Sequence, residues 1–230
     1  MVEVNNNTKL EGYIEKNELN NIFSENMKEY MKLYLFNKNE YICKEGEVLD
    51  NMFFLVEGKA KVCKNLENGR SILLSFYTPI KIIGDVEFVR SPIADCSVQA
   101  IKDTYCIGIK FDIVRNKLIK DCKFLLNICT YLGEKISISS TNSSINLLYP
   151  LENRLASYMI AYINTDDYNN KKFVFKESYN EIADLLGTSY RHLNRILNKL
   201  CNEGILKKDG KEYIIEDFDK LSCLAGDLYK

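Results

Sequence analysis

The stretch Ser178-Tyr179-Asn180-Glu181-Ile182-Ala183-Asp184-Leu185-Leu186-Gly187-Thr188-Ser189-Tyr190-Arg191-His192-Leu193-Asn194-Arg195-Ile196-Leu197-Asn198-Lys199-Leu200 decides the reading of the C-terminal third. Ser178 and Glu181 have the spacing of a capping box, in which the serine oxygen accepts a backbone N–H and the glutamate reaches back to the cap. A helix is therefore predicted to start here, with Ile182, Leu185 and Leu186 as its apolar face and the small Ala183 where a second helix must approach. Gly187 supplies the left-handed residue that closes it. Thr188-Ser189 offers a fresh cap, and Leu193, Ile196, Leu197 and Leu200 recur at i, i+3, i+4 and i+7. The outward positions are Tyr190, Arg191, Asn194, Arg195, Asn198 and Lys199, donors suited to phosphates and base edges. Two short helices joined by a tight glycine turn, the second polar and basic outside, form a helix-turn-helix pattern.

Downstream, Gly204 to Ile215 reads as strand, Asp209-Gly210 turn, strand, with Lys207, Lys208 and Lys211 near its tip. This is a wing placed to reach an adjacent phosphate backbone. The net charge of the whole chain is −1, so the basic character is local to this C-terminal face. Upstream, Pro150 starts a helix expected over Leu151 to Ile163.

Between about Glu40 and Lys110 the pattern changes to short apolar or alternating runs: Tyr41 to Cys43, Met52 to Val56, Ala60 to Cys63, Ile72 to Tyr77, Ile82-Ile83, Cys96 to Ile101 and Tyr105 to Ile109. Gly46, Gly58, Asn68-Gly69, Gly84 and Ser91-Pro92 punctuate them, and Asn68-Gly69 is a type I′ hairpin signal. A β-rich domain is predicted. From about Asp121 to Leu148 a helical period returns, with Leu125, Ile128, Leu132 and Ile136 as a stripe. Such a stripe needs a partner, and pairing with the same helix of a second copy is the reading preferred over packing on the β-domain.

The segment Glu181 to Leu197 resembles the DNA-binding signature of the Crp/Fnr regulators, E-I-A-x-x-L-G-x-S-x-x-x-x-x-R-x-L, with Ser189 and Arg195 at its specific positions. Gly46-Glu47 followed by Phe54-Leu55-Val56-Glu57-Gly58-Lys59-Ala60 is similar to the opening of that family's cyclic-nucleotide-type β-roll, and Ile83-Gly84-Asp85 to its later phosphate-cassette turn. The resemblance implies an α+β chain. Its parts would be an N-terminal extension over 1–23, a double-stranded β-helix (jelly-roll) sensor over 24–112, a dimerisation helix over 113–148 and a winged helix-turn-helix over 149–230. It further implies a homodimer on double-stranded DNA, with RNA polymerase as a partner and Thr188, Ser189, Tyr190, Arg191, Asn194, Arg195, Lys199, Lys207 and Lys208 at the interface.

In cyclic-nucleotide binders of this fold a Glu holds the ribose and an Arg neutralises the phosphate. Asp85 stands at the first position, and Ala94 and Asp95 fall where the Arg-Ser pair would be, with no basic residue from Ile93 to Ala100. A phosphate buried without a cation is costly and a nearby carboxylate adds repulsion, so cyclic AMP is disfavoured. An effector pocket, if used, would comprise Gly84, Asp85, Ala94 and Asp95, with Ser139 and Ser140 contributed by the long helix. Its ligand would be an unidentified small molecule, or none, and no cofactor or metal is expected.

Other function classes are weighed on the same residues. The family's iron–sulfur sensors use an N-terminal cysteine cluster, whereas no cysteine precedes Cys43 here. Cys43, Cys63, Cys96, Cys106, Cys122 and Cys129 are dispersed and expected to be buried structural thiols, with a redox sensor as the alternative. A single histidine, His192, excludes histidine-based triads and multi-histidine metal sites, and no phosphate-binding glycine loop appears, which argues against an enzyme. A ligand-binding dimeric module with a degenerate helix-turn-helix is the alternative of another class. The polar start Met1 to Asn7 lacks a secretory pattern and is read as a disordered or loosely docked extension. No apolar run approaches the ~20 residues of a membrane helix, so a cytoplasmic protein is expected.

Overall fold

Strand Thr104–Lys110 is the centre of a sheet whose other members all precede it in the chain. In the computed structural model, which describes residues 1–67, 69, 71–162, 172–174, 178–210 and 212–226, the chain divides into two compact units. One comprises 1–64 and 76–138, the other 65–75 and 139–230.

The roll contains β1 (Val2–Glu3), β2 (Lys32–Phe36), β3 (Tyr41–Cys43), β4 (Asn51–Glu57), β5 (Ala60–Asn65), β6 (Ser71–Tyr77), β7 (Ile82–Ile83), β8 (Ser97–Ala100) and β9 (Thr104–Lys110). They form a five-stranded sheet in the order β1-β2-β9-β4-β7 and a four-stranded sheet in the order β3-β8-β5-β6. Neighbouring strands whose register is resolved run antiparallel, for example Leu33 opposite Ile107 and Phe54 opposite Ile107 on its other side. Side chains of Leu33, Phe36, Phe54, Leu55, Ile107 and Ile109 fill the interior. The runs expected from sequence coincide with β3 to β9 within a residue or two. Gly69 has φ +79°, as a hairpin turn requires, while Asn68 lies outside the described residues.

Gly58 closes the β4–β5 turn at φ +108°, and a Cβ there would stand 2.6 Å from the Thr104 Cα. Only glycine fits on both counts.

The N-terminal segment is not the disordered or loosely docked extension expected of it. β1 pairs with β2, and α1 (Asn7–Lys16) is capped by the Asn6 side chain, which accepts from the Lys9 N–H at 2.9 Å. Tyr13 and Ile14 are buried, as are Leu19, Ile22 and Phe23 just beyond, and the Tyr13 hydroxyl donates to Glu57 at 2.9 Å. Burying a side chain such as Ile14 contributes roughly 1.5–3 kcal/mol, enough to hold a polar helix whose apolar residues are too few to show a period. β2 was also missing from the sequence reading.

After β7 come α2 (Asp85–Val89), then β8 and β9, a short turn α3 (Phe111–Ile113) that continues as a π-helical turn, and the long α4 (Cys122–Leu148). Asp121 caps α4, accepting from the backbone N–H of Lys123 and Phe124 and from Ser24. Phe124 and Ile128 of α4 are buried within this unit, Phe124 stacking on Phe23 at 5.7 Å and meeting Phe88 edge-on at 5.5 Å.

Ile128 therefore does not belong to an outward stripe with Leu125, Leu132 and Ile136. At 3.6 residues per turn Phe124, Ile128, Tyr131 and Lys135 share the inner face. The outward apolar residues are Leu126 (69% exposed), Cys129 and Ile136 (70% exposed), with Leu125 and Leu132 half-buried at the boundary. The helix is apolar on two sides, and spacing alone merged them.

The second unit contains α5 (Leu151–Tyr162), β10 (Lys172–Val174), α6 (Tyr179–Leu185), α7 (Tyr190–Asn202), β11 (Leu206–Asp209), β12 (Glu212–Ile215) and α8 (Phe218–Ala225). The wing is a three-stranded sheet in the order β10-β12-β11, so the predicted hairpin gains a strand that its three residues did not announce. Ile163 lies outside the described residues. The fold is an α+β chain with a β-roll, a long helix and a winged helix-turn-helix. No helix among the described residues is long and apolar enough to cross a membrane.

Candidate nucleic-acid interface and effector pocket

The capping box at α6 is formed as its sequence requires. Glu181 N donates to the Ser178 hydroxyl at 3.3 Å, and Ser178 N donates to the Glu181 carboxylate at 2.7 Å. Gly187 takes φ +61°, and the turn is closed by Gly187 N to Asp184 O at 2.9 Å and Thr188 N to Ala183 O at 2.8 Å. Arg154 of α5, buried beneath this turn, donates to the Leu186 carbonyl. A cation at the C-terminal end of α6 is favourably placed against the helix dipole. The sequence reading did not include Arg154, and nothing in its local pattern distinguishes it from a surface arginine.

Ser189 is the N-cap of α7, accepting from His192 N at 3.3 Å, and Thr188 Oγ1 lies 3.3 Å from His192 Nδ1. Leu193, Ile196, Leu197 and Leu200 are buried. Opposite them Arg191, Asn194, Arg195, Asn198 and Lys199 border one open surface depression. The structure thus brings together the helix's expected donors, but they are not equivalent. Arg191 and Arg195 are exposed and unengaged by any carboxylate among the described residues. Lys199 is held 2.5 Å from Glu152 and 3.7 Å from Glu203, and the Glu152 hydrogen bond keeps its ammonium above the ordinary lysine value. Tyr190, 47% exposed, meets the Tyr179 ring edge-on at 6.1 Å, and the Tyr179 hydroxyl donates to that of Tyr213 at 3.4 Å. This tyrosine chain ties α6, α7 and β12 together. Lys207 and Lys208 are exposed on β11 beside the Gly210 turn, while Lys211 lies outside the described residues.

In the roll, Gly84 at φ +103° leads into α2, and Asp85 behind it is 1% exposed. Asp85 Oδ1 accepts from Lys135 Nζ at 2.5 Å and from Val86 N at 3.0 Å, while its Oδ2 has no hydrogen-bond partner among the described residues. Lys135, from the inner face of α4, also donates to the Ile82 carbonyl at 2.9 Å and lies 5.0 Å from the Tyr77 ring centroid. Burial alone would lower the Lys135 pKa, but Tyr77 and Asp85 outweigh it and hold the ammonium above the ordinary lysine value. Ala94 is buried and bonded through its backbone to Glu47 and Gly46.

Asp95 is exposed and does not stand as an uncompensated carboxylate. Lys64 lies 3.5 Å and Arg90 3.7 Å from it, cations brought from outside the segment 93–100 by the β5 edge and the end of α2. Ser139 and Ser140 are exposed on α4 in the other compact unit. Lys135 is the partner of Asp85 that sequence reasoning missed, since a partner fifty positions away leaves no local signal.

Burial pushes the Cys43 thiol up to about 12 and that of Cys96 up to about 11, and raises Cys106, so these thiolates are disfavoured. Cys122 and Cys129 depart from the expected burial, being exposed on α4, and Cys96 is only half-buried. No group of three or more His, Cys, Asp or Glu residues is arranged to hold a metal ion among the described residues.

Comparison with known proteins follows the same division. The cyclic nucleotide-binding domain family matches residues 35–121, and the Crp-like helix-turn-helix domain family matches residues 153–224. The chain is 31% identical to the regulatory protein YeiL of Escherichia coli O157:H7 over 84% of its own length and 85% of the relative's. It is 20% identical to the CRP-like cAMP-activated global transcriptional regulator of Mycobacterium tuberculosis, over 83% and 86%. Among solved structures, a Eubacterium rectale protein described as a candidate regulator of the Crp/Fnr family superposes with a TM-score of 0.73 at 18% identity, covering 96% of this chain and 95% of that one. With a nucleotide-binding-type roll and a Crp-like helix-turn-helix in one chain, and a relative matched along most of its length, the protein belongs to the Crp/Fnr family of transcriptional regulators, a class without enzymatic activity.

Proposed function

We propose that this regulator binds palindromic operators as a homodimer, reading bases with α7 and phosphates with the wing, and that its roll does not take cyclic AMP. The observation that carries the proposal is the two-sided α7: four buried aliphatic side chains fix the helix, while Arg191, Asn194 and Arg195 face outward with their donors available. Guanidinium groups can engage guanine O6 and N7 in bidentate fashion, and asparagine suits adenine. Thr188 and Ser189 close the turn and cap the helix and are suited to backbone contacts, as are Lys207 and Lys208.

The outward face of α4 supports dimerisation. Cys122, Leu125, Cys129, Leu132 and Ile136 alternate in steps of three and four, the register of a two-stranded seam. A two-fold dimer would present two α7 helices to half-sites about one helical turn, roughly 34–36 Å, apart. RNA polymerase is the partner expected of an activator built this way.

Against cyclic AMP stands the buried Asp85–Lys135 pair, in which the carboxylate expected to meet a ribose already accepts from a lysine. Lys64 and Arg90 offset the charge of Asp95, so the Asp85–Lys135 pair, and not repulsion at Asp95, is what disfavours the nucleotide. Selecting genomic fragments on the purified protein, then measuring affinity for the selected duplex and a scrambled one at several salt concentrations, tests operator binding. Calorimetry with cyclic AMP tests the roll. A non-palindromic selected site, or a micromolar dissociation constant for the nucleotide, would reject the corresponding part.

A further inference from the structure

We propose that Lys135 acts as a built-in ligand of the roll, its ammonium filling the polar centre around Asp85 and fastening α4 in place so that operator binding needs no diffusible effector. The inference rests on the DNA-binding reading above and adds to it how the roll is kept in its working state. A carboxylate that is 1% exposed costs several kcal/mol unless a cation joins it. None of the strands around Asp85 provides that cation within ion-pair distance among the described residues. Lys135 provides it, fifty positions later in the chain.

The ammonium has three donors. Asp85 Oδ1 takes one at 2.5 Å and the Ile82 carbonyl another at 2.9 Å, and the Tyr77 ring centroid lies 5.0 Å from the same nitrogen. Three separate segments of the roll, β6, β7 and α2, thus converge on one atom of α4. Next to it Lys81, between β6 and β7, pairs with Glu134 at 3.2 Å. A diffusible cationic ligand would have to displace a group that is covalently tethered a few ångströms away, against an effective concentration of millimolar order or higher. α4 begins in the first compact unit and ends in the second, and the fixed point at Lys135 lies in the part of the helix that belongs to the first.

The test uses full-length protein stripped of small molecules by denaturation and refolding, with DNA selected by the wild type as the probe. The variants are Lys135→Met, Asp85→Asn and the double replacement Lys135→Met with Asp85→Leu, in which apolar volume replaces the pair and stability is expected to return. Stripped wild type should bind its DNA as before. Lys135→Met should lose at least ~10-fold in affinity, and backbone amides at 132–138 should exchange faster with solvent. The double variant should recover thermal stability but not affinity, which separates a fastening role from a purely stabilising one. Asp85→Asn, which keeps the side-chain shape, gives the same reading if Lys135→Met does not fold.

A stripped wild type that regains binding only with a small-molecule extract, or a double variant with wild-type affinity, overturns the proposal. If the wild type selects no DNA, the operator reading falls by itself. Amide exchange then decides the fastening role, and unchanged protection at 132–138 in Lys135→Met overturns it.

Discussion

The charges of the roll and those of the recognition helix are placed in opposite ways. Asp85 is withdrawn from water and paired through one oxygen with the largely buried Lys135, whereas Arg191 and Arg195 stand exposed with no carboxylate partner among the described residues. A buried charge must find its partner within the fold, at a cost that only close geometry repays. An exposed guanidinium pays little desolvation while it waits and keeps its donors for an incoming phosphate or base. The difference is one of placement: the roll's pair is engaged inside the chain, whereas the arginines of α7 are left open on its surface.

The strongest way to break this contrast is through α4, which carries both kinds of face. Ile136→Glu places a carboxylate on the outward stripe, and sedimentation should show dimer association weakened by at least ~100-fold, about 2.8 kcal/mol, with operator binding lost alongside. Copper-phenanthroline oxidation should cross-link Cys129 of two copies in wild type but not in Cys129→Ser. Helices 8–10 Å apart, with Cα atoms about 2.3 Å from each axis, bring facing seam residues to a Cα spacing of roughly 3.4–5.4 Å, which overlaps the 4.4–6.8 Å range of a disulfide. A variant Ile136→Glu that stays fully dimeric would move the interface elsewhere.

Arg195→Ala and Arg191→Ala probe the exposed charges directly. Each should cost about 1–3 kcal/mol on the selected operator and relax preference at one position per half-site, while Lys207→Ala and Lys208→Ala weaken operator and scrambled duplex alike and flatten the salt dependence. Equal losses on both duplexes for the arginine variants would show that α7 only positions the protein.

Stability should respond more modestly at Asp121. Burial alone would raise its pKa, but the hydrogen bonds from Ser24 and from the first turn of α4 outweigh it and hold the carboxylate below the ordinary aspartate value. Its contribution is therefore present above the unfolded-state pKa near ~3.9 and is lost as pH falls through the folded value. Removing this cap with Asp121→Ala should cost about 1 kcal/mol, a melting shift of roughly 2–4 °C. The stability gap between wild type and Asp121→Asn should close as acid is added, and a gap that widens instead would contradict the assignment.

The smallest effect is expected at Lys199. Its ammonium is shared by Glu152 and Glu203 on an exposed surface, so Lys199→Ala should change operator affinity by less than about 0.5 kcal/mol. A loss equal to that of Arg195→Ala would mean that the carboxylates release it to DNA.

The helix-turn-helix was legible because its signals are local: a capping box, a left-handed glycine and a 3.6-residue period all fall within the twenty-three residues from Ser178 to Leu200. The strands from β3 to β9 were legible for the same reason. What escaped depends on distant partners. α1 is mostly polar and is held by buried Tyr13 and Ile14, β10 has three residues and exists through β12, and Ile128 shares a period with residues on the opposite face of the helix. Among the site residues, Lys135 meaning something to Asp85 and Lys64 to Asp95 are facts of topology, which spacing along the chain does not encode.

The central position of β9 has a consequence for synthesis. β2 and β4 lie on either side of it, yet β9 begins at Thr104, long after β2 ends at Phe36. At translation rates of about 5–20 residues per second, β2 waits roughly 3 to 14 s between its own completion and the arrival of its neighbour's first residue. During that interval the apolar faces of β2 and β4 have no finished sheet to enter, so the nascent roll presents open strand edges to the ribosome surface and to any chaperone stationed there.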